Sequence, residues 1–316
     1  MSASKTPPRA AAKPIVYIDG EAGTTGLEIR RRLDALTDRL EVRSIEAASR
    51  KDDGARRAMM RQADLVVFCL PDAAAVEAAG WLHELGDAAP KVVDASTAHR
   101  VTEGWVYGFP ELDAGQASAI ASARRVTNPG CYPTGAIALI RPLVDAGLIP
   151  AGYPLTVNAV SGYSGGGRSM IEAYEAGSAP AFELYGLGLE HKHVPELHKY
   201  SRLTMRPIFV PSVGNFRQGM LVSVPLHLDA LPGKPTARDL EAALAAHYAG
   251  ARLVSVVPAE KGGRLDALAL NGTDRLELRV FAHPRHAQAV LVARLDNLGK
   301  GASGAAVQNI ELMLRV

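Results

Sequence analysis

The segment with the most to say about chemistry is Asn128-Pro129-Gly130-Cys131-Tyr132-Pro133-Thr134-Gly135. Cys131 follows a turn and precedes a helix predicted over 134–146. A thiol at a helix start gains from the partial positive charge of the N-terminus, which lowers its pKa and favours thiolate. A thiolate attacks acyl carbons well and leaves readily from a thioester, so it suits covalent acyl catalysis. The alternative is a buried structural cysteine, and Cys69, inside Val66-Val67-Phe68-Cys69-Leu70, reads as that case. Covalent catalysis also needs a group that moves protons. Glu190-His191-Lys192-His193-Val194-Pro195-Glu196-Leu197-His198 supplies three histidines whose ordinary pKa fits the task. A metal site is the weaker reading, because no cysteine lies near and the acids are not arranged as further ligands. His198 reads equally as a surface residue.

Two further loops could bind anions. Ser161-Gly162-Tyr163-Ser164-Gly165-Gly166-Gly167-Arg168 runs from a predicted strand to a predicted helix, and Arg168 could pair with a carboxylate or phosphate. Arg217, in Phe216-Arg217-Gln218-Gly219, is a second candidate substrate anchor, or else an edge-strand charge. Near the start, Gly20-Glu21-Ala22-Gly23-Thr24-Thr25-Gly26 joins a short apolar strand to a helix. That is where dinucleotide folds put their phosphate turn, although the Gly-x-x-Gly-x-x-Gly spacing differs from the commoner Gly-x-Gly-x-x-Gly. After the second strand, Glu46 is followed by Ser49, Arg50 and Lys51, a cluster that could clamp a ribose 2′-phosphate and so favours NADP over NAD; a solvated charge run is the competing reading.

The elements that must hold these residues fall into two patterns. Strands over 15–18, 40–45, 64–70 and 91–94 alternate with helices over 27–36 and 73–85, the spacing of right-handed crossover units. Beyond Asn128 come strands over 155–161, 208–213, 219–228 and 276–282, several alternating apolar and polar residues as one-sided antiparallel strands do. Helices are predicted between them over 170–176 and 237–248, and at the end over 304–314. The expected class is α/β: a doubly wound Rossmann-like NADP-binding domain plus an α+β second domain with a mainly antiparallel sheet.

The totals agree with a two-domain globular enzyme. The chain has 316 residues, 47% hydrophobic and 22% charged, with net charge +2 and only two cysteines. The scattered basic residues give no nucleic-acid footprint. No stretch reaches membrane-span length, and two cysteines form no disulfide framework. Residues 1–13 are Ala-, Pro- and Lys-rich without the apolar run of a secretory signal; they read as a disordered tail, and the protein as cytoplasmic.

Taken in order, the motifs Asp19-Gly20-Glu21-Ala22-Gly23-Thr24-Thr25-Gly26, Leu70-Pro71-Asp72, Asp94-Ala95-Ser96-Thr97, Asn128 to Thr134, Ser161 to Gly167, His191-Lys192-His193-Val194-Pro195-Glu196 and Asp296-Asn297-Leu298-Gly299-Lys300-Gly301-Ala302-Ser303-Gly304 resemble the short type of the N-acetyl-γ-glutamyl-phosphate reductases, from about Ile15 to the end. The resemblance implies NADPH-dependent reduction of N-acetyl-γ-glutamyl phosphate to the 5-semialdehyde and phosphate, in arginine biosynthesis. It implies Cys131 as nucleophile and His193, in a His-x-x-Glu arrangement with Glu196, as acid/base. Gly20, Gly23, Thr24, Thr25 and Gly26 would form the NADP(H) turn, with Ser49, Arg50, Leu70, Pro71, Ser96 and Asn297 also on the cofactor. Asn128, Ser161, Gly162, Arg168, His191 and Arg217 would meet the substrate. Residues 14–128 plus 297–316 would form the cofactor domain, 129–296 the catalytic and oligomerisation domain, and a homo-oligomer, dimer or tetramer, is expected. The rivals are an aspartate-semialdehyde dehydrogenase, which shares plan and chemistry but for which the histidine motif argues less well, a cysteine acyltransferase or hydrolase, and a non-catalytic nucleotide sensor.

Overall fold

The computed structural model describes residues 12–316; most of the expected N-terminal tail therefore lies outside the described residues. The first unit begins with β1 (Ile15–Asp19), α1 (Thr24–Leu33), β2 (Glu41–Arg43), α2 (Asp53–Gln62), β3 (Leu65–Phe68), α3 (Asp72–Glu84) and β4 (Lys91–Asp94). It continues through β5 (Val106–Tyr107), α4 (Gln116–Ser122) and β6 (Arg125–Thr127). These six strands form one parallel sheet in the order β2-β1-β3-β4-β6-β5. Strands covered on both faces need apolar residues at every position rather than alternate ones: all four residues of β3 are buried, and so are the last four of β1.

The second unit opens with α5 (Cys131–Asp145), β7 (Thr156–Gly162), α6 (Arg168–Glu175), β8 (Phe182–Leu184), α7 (Val194–Tyr200) and β9 (Ile208–Gly214). Then come β10 (Met220–His227), α8 (Ala237–His247), β11 (Val254–Val256), β12 (Leu276–Ala282) and β13 (Gln288–Leu295). Their seven-stranded sheet has the order β11-β12-β13-β10-β7-β9-β8. Most pairings are antiparallel, while β7 with β9 and β11 with β12 run parallel. One face is sealed by α5, α7 and α8 through a core that includes Ile137, Leu197, Leu244, Val222 and Leu278. The other face is open, with Val160, Leu221, Phe281, Val290 and Val292 around a hollow of about 870 Å³.

The chain then returns to the first unit. A π-turn over Gly299–Ser303 leads into α9 (Gly304–Leu314), whose Ala306, Ile310 and Met313 pack with Val16, Ile18 and Ile29 of the parallel sheet and α1. Among the described residues, no helix is long and apolar enough to cross a membrane.

Candidate active site

The helix carrying the cysteine starts three residues earlier than its apolar pattern suggests. Gly130 is the extended residue before it, and Cys131 occupies the first helical position. Pro133 costs nothing there, because N–H groups in a first turn have no helical acceptor. The N–H groups of Cys131 and Tyr132 are turned toward the sulfur, and with Arg100 they favour thiolate. Burial opposes them and prevails, pushing the thiol up to about 11. The expectation of a depressed pKa is thus corrected: loss of water outweighs the helix terminus. Alkylation of the free enzyme by iodoacetamide, read as the difference between wild type and Cys131→Ser, should therefore rise about tenfold per pH unit from neutrality to pH 10, in step with the thiolate fraction. A plateau near pH 7 would contradict this.

His193 is fully enclosed just before α7. Burial first, then the positive charges of Arg100 and neighbouring groups, drives its pKa well below the ordinary value, so it is neutral, with one ring nitrogen unprotonated, and a weaker base than a free imidazole. His191, held to about 4 chiefly by burial, accepts a bond at Nδ1 from the His193 backbone N–H at 3.1 Å. Among the described residues no hydrogen bond joins Glu196 to His193. Its carboxylate instead accepts from Arg100 Nη1 at 2.6 Å, from the Tyr107 hydroxyl at 2.9 Å and from the Gly130 N–H at 3.1 Å. One helical turn separates the two residues, and Glu196 points to the nucleophile's loop.

Gly130 is squeezed by this arrangement. A Cβ there would lie 2.6 Å from Arg100 Nη1, 2.6 Å from Glu196 Oε1 and 2.7 Å from His193 Nε2. On the far side Gly301, in the π-turn, faces Cys131, with 3.0 Å between its would-be Cβ and that of the cysteine. Cys131, His191, Lys192 and His193 share a cavity of about 300 Å³ with Thr24 and Thr25 of the glycine turn. Cys131 and the glycine turn therefore open onto one space.

That turn begins a second crevice of about 670 Å³, lined by Gly20, Gly23, Arg50, Lys51, Leu70 and Pro71. The turn is shaped for close approach. Gly20 has φ +87°, and a Cβ on it would meet the Cys69 carbonyl oxygen at 2.3 Å; one on Gly26 would meet the Gly20 oxygen at 2.6 Å. A cradle of this kind, with a helix N-terminus behind it and basic residues along the crevice, fits a dinucleotide phosphate. Cys69 is not wholly a core residue: β3 stops at Phe68, and Cys69 is partly buried at the crevice wall.

Several other sequence candidates are placed differently from expectation. Ser96 is buried and spent on Asp94, to which its hydroxyl donates at 2.9 Å. Ser49 sits in a short turn and does not line the crevice, whereas Arg50 and Lys51 do. Asn128 and Asn297 line the Cys131 cavity, but as braces. Asn128 Nδ2 donates to the Ala302 carbonyl at 2.9 Å, and Asn297 joins the Gly219 N–H and the Ser164 hydroxyl, each at 2.9 Å. Ser161 and Gly162 are in the cavity wall. Arg217 is exposed, paired with Glu175 at 2.7 Å and off the cavity. Arg168 is exposed, does not line the Cys131 cavity, and donates to the Ala22 carbonyl at 3.3 Å.

Sequence reasoning missed Arg100, buried between Glu196 and the Asn128 carbonyl, and missed Tyr107. Arg100 stands three residues beyond the Asp94-Ala95-Ser96-Thr97 motif, which was a signal to look for an adjacent cation. Lys192 was in view only as part of a motif; its exposed side chain borders the cavity, and among the described residues it has no ion partner.

Residues 16–120 match the semialdehyde dehydrogenase NAD-binding domain, and residues 131–297 match the semialdehyde dehydrogenase dimerisation domain. N-acetyl-γ-glutamyl-phosphate reductase 2 of Pseudomonas putida is 53% identical, covering 95% of this chain and 97% of its own. The N-acetyl-γ-glutamyl-phosphate reductase of Brucella ovis is 55% identical over 96% and 99%. Among solved structures, aspartate semialdehyde dehydrogenase II from Vibrio cholerae superposes with TM-score 0.70 at 16% identity, over 96% of this chain and 99% of that one, which speaks for the fold. At these identities over nearly the whole of both chains, the chain belongs to the N-acetyl-γ-glutamyl-phosphate reductase family.

Proposed function

We propose that the protein reduces N-acetyl-γ-glutamyl phosphate with NADPH, giving N-acetyl-glutamate 5-semialdehyde and phosphate, in arginine biosynthesis. The observation that carries this is the shared space: Cys131, a neutral buried His193 and the phosphate turn all face it. His193 takes the thiol proton as sulfur attacks the γ-acyl carbon. The C–S bond forms, the acyl C–O bond breaks, and phosphate leaves with that proton. Bound NADPH supplies the hydride that reduces the thioester carbon. The C–S bond then breaks, the aldehyde departs, and the thiolate is reprotonated through His193 from solvent. The N–H groups of Cys131 and Tyr132, which have no helical acceptor and lie beside the sulfur, serve the acyl oxygen as it becomes negative. Lys192 meets an anionic end of the substrate, because Arg100 is already committed to Glu196. Arg50 and Lys51 serve the 2′-phosphate at the ribose end of the crevice.

The open apolar face of the seven-stranded sheet covers a second copy of the chain, making a homo-oligomer that works in the cytoplasm, where both cysteines stay free. The test of the reaction is run in reverse, with phosphate, NADP⁺ and either N-acetyl-glutamate semialdehyde or aspartate semialdehyde. The first should be preferred by about 100-fold in kcat/KM, as a site that reads polar groups allows. Preference for aspartate semialdehyde would overturn the assignment in favour of the rival dehydrogenase.

A further inference from the structure

We propose that Arg168, carried by the second domain, is a ligand of the dinucleotide's pyrophosphate, closing the cofactor crevice from the substrate side. The inference rests on the nucleotide reading given above and names a residue that the phosphate turn itself lacks.

The glycine turn brings backbone but no positive charge. Its one ionisable side chain is an acid, Glu21, which is held by Arg30 at 3.2 Å and by the Ser44 hydroxyl at 2.7 Å. Of the cations on the crevice, Arg56 is neutralised by Asp19 at 2.9 Å and Asp53 at 3.0 Å. Arg50 and Lys51 stand on the segment that follows β2, where dinucleotide folds put the adenosine ribose, not the pyrophosphate. Arg30, which also reaches the turn, is spent on Glu21 and on Asp34 at 2.7 Å; the other cation on the turn comes from 146 residues away, Arg168 Nη2 donating to the Ala22 carbonyl at 3.3 Å.

Three features suit Arg168 to the role. Gly167 has φ +78°, so the loop reverses there and α6 begins with Arg168. The residues just before it, Gly165 to Gly167, line the Cys131 cavity together with Thr24 and Thr25, so the loop and the turn already share one space. Among the described residues Arg168 has no acidic partner, and its one bond is a long one to a neutral carbonyl. A phosphate oxygen is a stronger acceptor for a guanidinium and can take two parallel N–H donors. An incoming pyrophosphate would replace the Ala22 carbonyl at little cost, since the side chain is exposed and free to swing.

The experiment titrates NADPH fluorescence with wild type, Arg168→Ala and Arg168→Lys. Adenosine 2′-monophosphate, which has the ribose 2′-phosphate but no pyrophosphate, is titrated in competition. Arg168→Ala should weaken NADPH by about tenfold or more, the loss expected for one charged hydrogen-bond partner. Arg168→Lys should recover part of it, and the Kd of adenosine 2′-monophosphate should stay within twofold. NADPH binding within twofold of wild type in Arg168→Ala would overturn the proposal. Equal weakening of both ligands would also overturn it, since that marks a deformed crevice. Failure of the wild type to bind NADPH would instead strike at the nucleotide reading itself.

Discussion

Cys131→Ser will leave an enzyme that binds NADPH normally and reduces the acyl phosphate about 10³-fold or more slowly, the scale of loss when a covalent nucleophile is removed. The change is nearly isosteric, so the cavity and the α5 start should survive it. What disappears is an atom that can carry negative charge beside the N–H groups of Cys131 and Tyr132 and then leave from the acyl carbon. A serine hydroxyl gives up its proton far less readily, and an ester is a poorer hydride acceptor than a thioester. The covalent route predicts a second result. Wild type mixed with acyl phosphate and no NADPH should release one equivalent of phosphate per active site and gain the mass of the acyl group on the peptide that contains Cys131. Full activity in the serine variant, or no acyl adduct in the wild type, would sink the scheme.

Gly130→Ala should be almost as damaging, for a reason unrelated to backbone freedom. Gly130 has φ −72° and ψ 151°, a conformation any residue adopts. The obstacle is the three-sided crowding by Arg100, Glu196 and His193, each within 2.7 Å of the added carbon. None of the three can retreat freely: Arg100 and Glu196 are a buried ion pair, and His193 is packed beside Tyr132. The methyl group must displace the base, the ion pair or the cysteine. We expect kcat to fall by about 100-fold or more, the cost of moving reacting groups by an ångström, with NADPH affinity kept, because the crevice lies apart from this contact. Thermal unfolding and NADPH titration separate this outcome from general misfolding. An alanine variant with near-normal kcat would show that the crowding is relieved elsewhere.

Much of the plan could be read from residue order. The run Ile15–Asp19, the glycine turn and the uninterrupted Leu65–Phe68 each carry a local pattern that tertiary context does not override. β13 carried no such pattern. Ala289, Leu291, Ala293 and Leu295 face the core, but Val290 and Val292 on the outer face are apolar too, so the alternation that marks a one-sided strand is lost. α2 was hidden for the opposite reason. Asp53–Gln62 is mostly charged and polar, and its inner side rests on Met60 and on Arg56, whose guanidinium lies over the Trp81 ring. At the site, residue type identified the cysteine and the histidines, because their chemistry is rare. It could not pair Arg100 with Glu196 across 96 residues, nor tell that Glu196 turns from His193 toward Gly130. The pKa of Cys131 was misjudged on the same ground: helix position is local and legible, whereas burial is a property of the whole fold.

The placement of α9 bears on how the chain comes to life on the ribosome. The parallel sheet is made before α9, whose Ala306, Ile310 and Met313 fill the core beside Val16 and Ile18, so one part of its cover arrives only after the second unit. Asn309 then ties the Gly108 carbonyl and Asn128 together, directly upstream of the nucleophile. The unit from α5 to β13 is contiguous and can fold while synthesis continues, as domains commonly do. The first unit therefore closes its core with a segment that the whole second unit separates from β6, so its packing depends on a contact very distant in sequence.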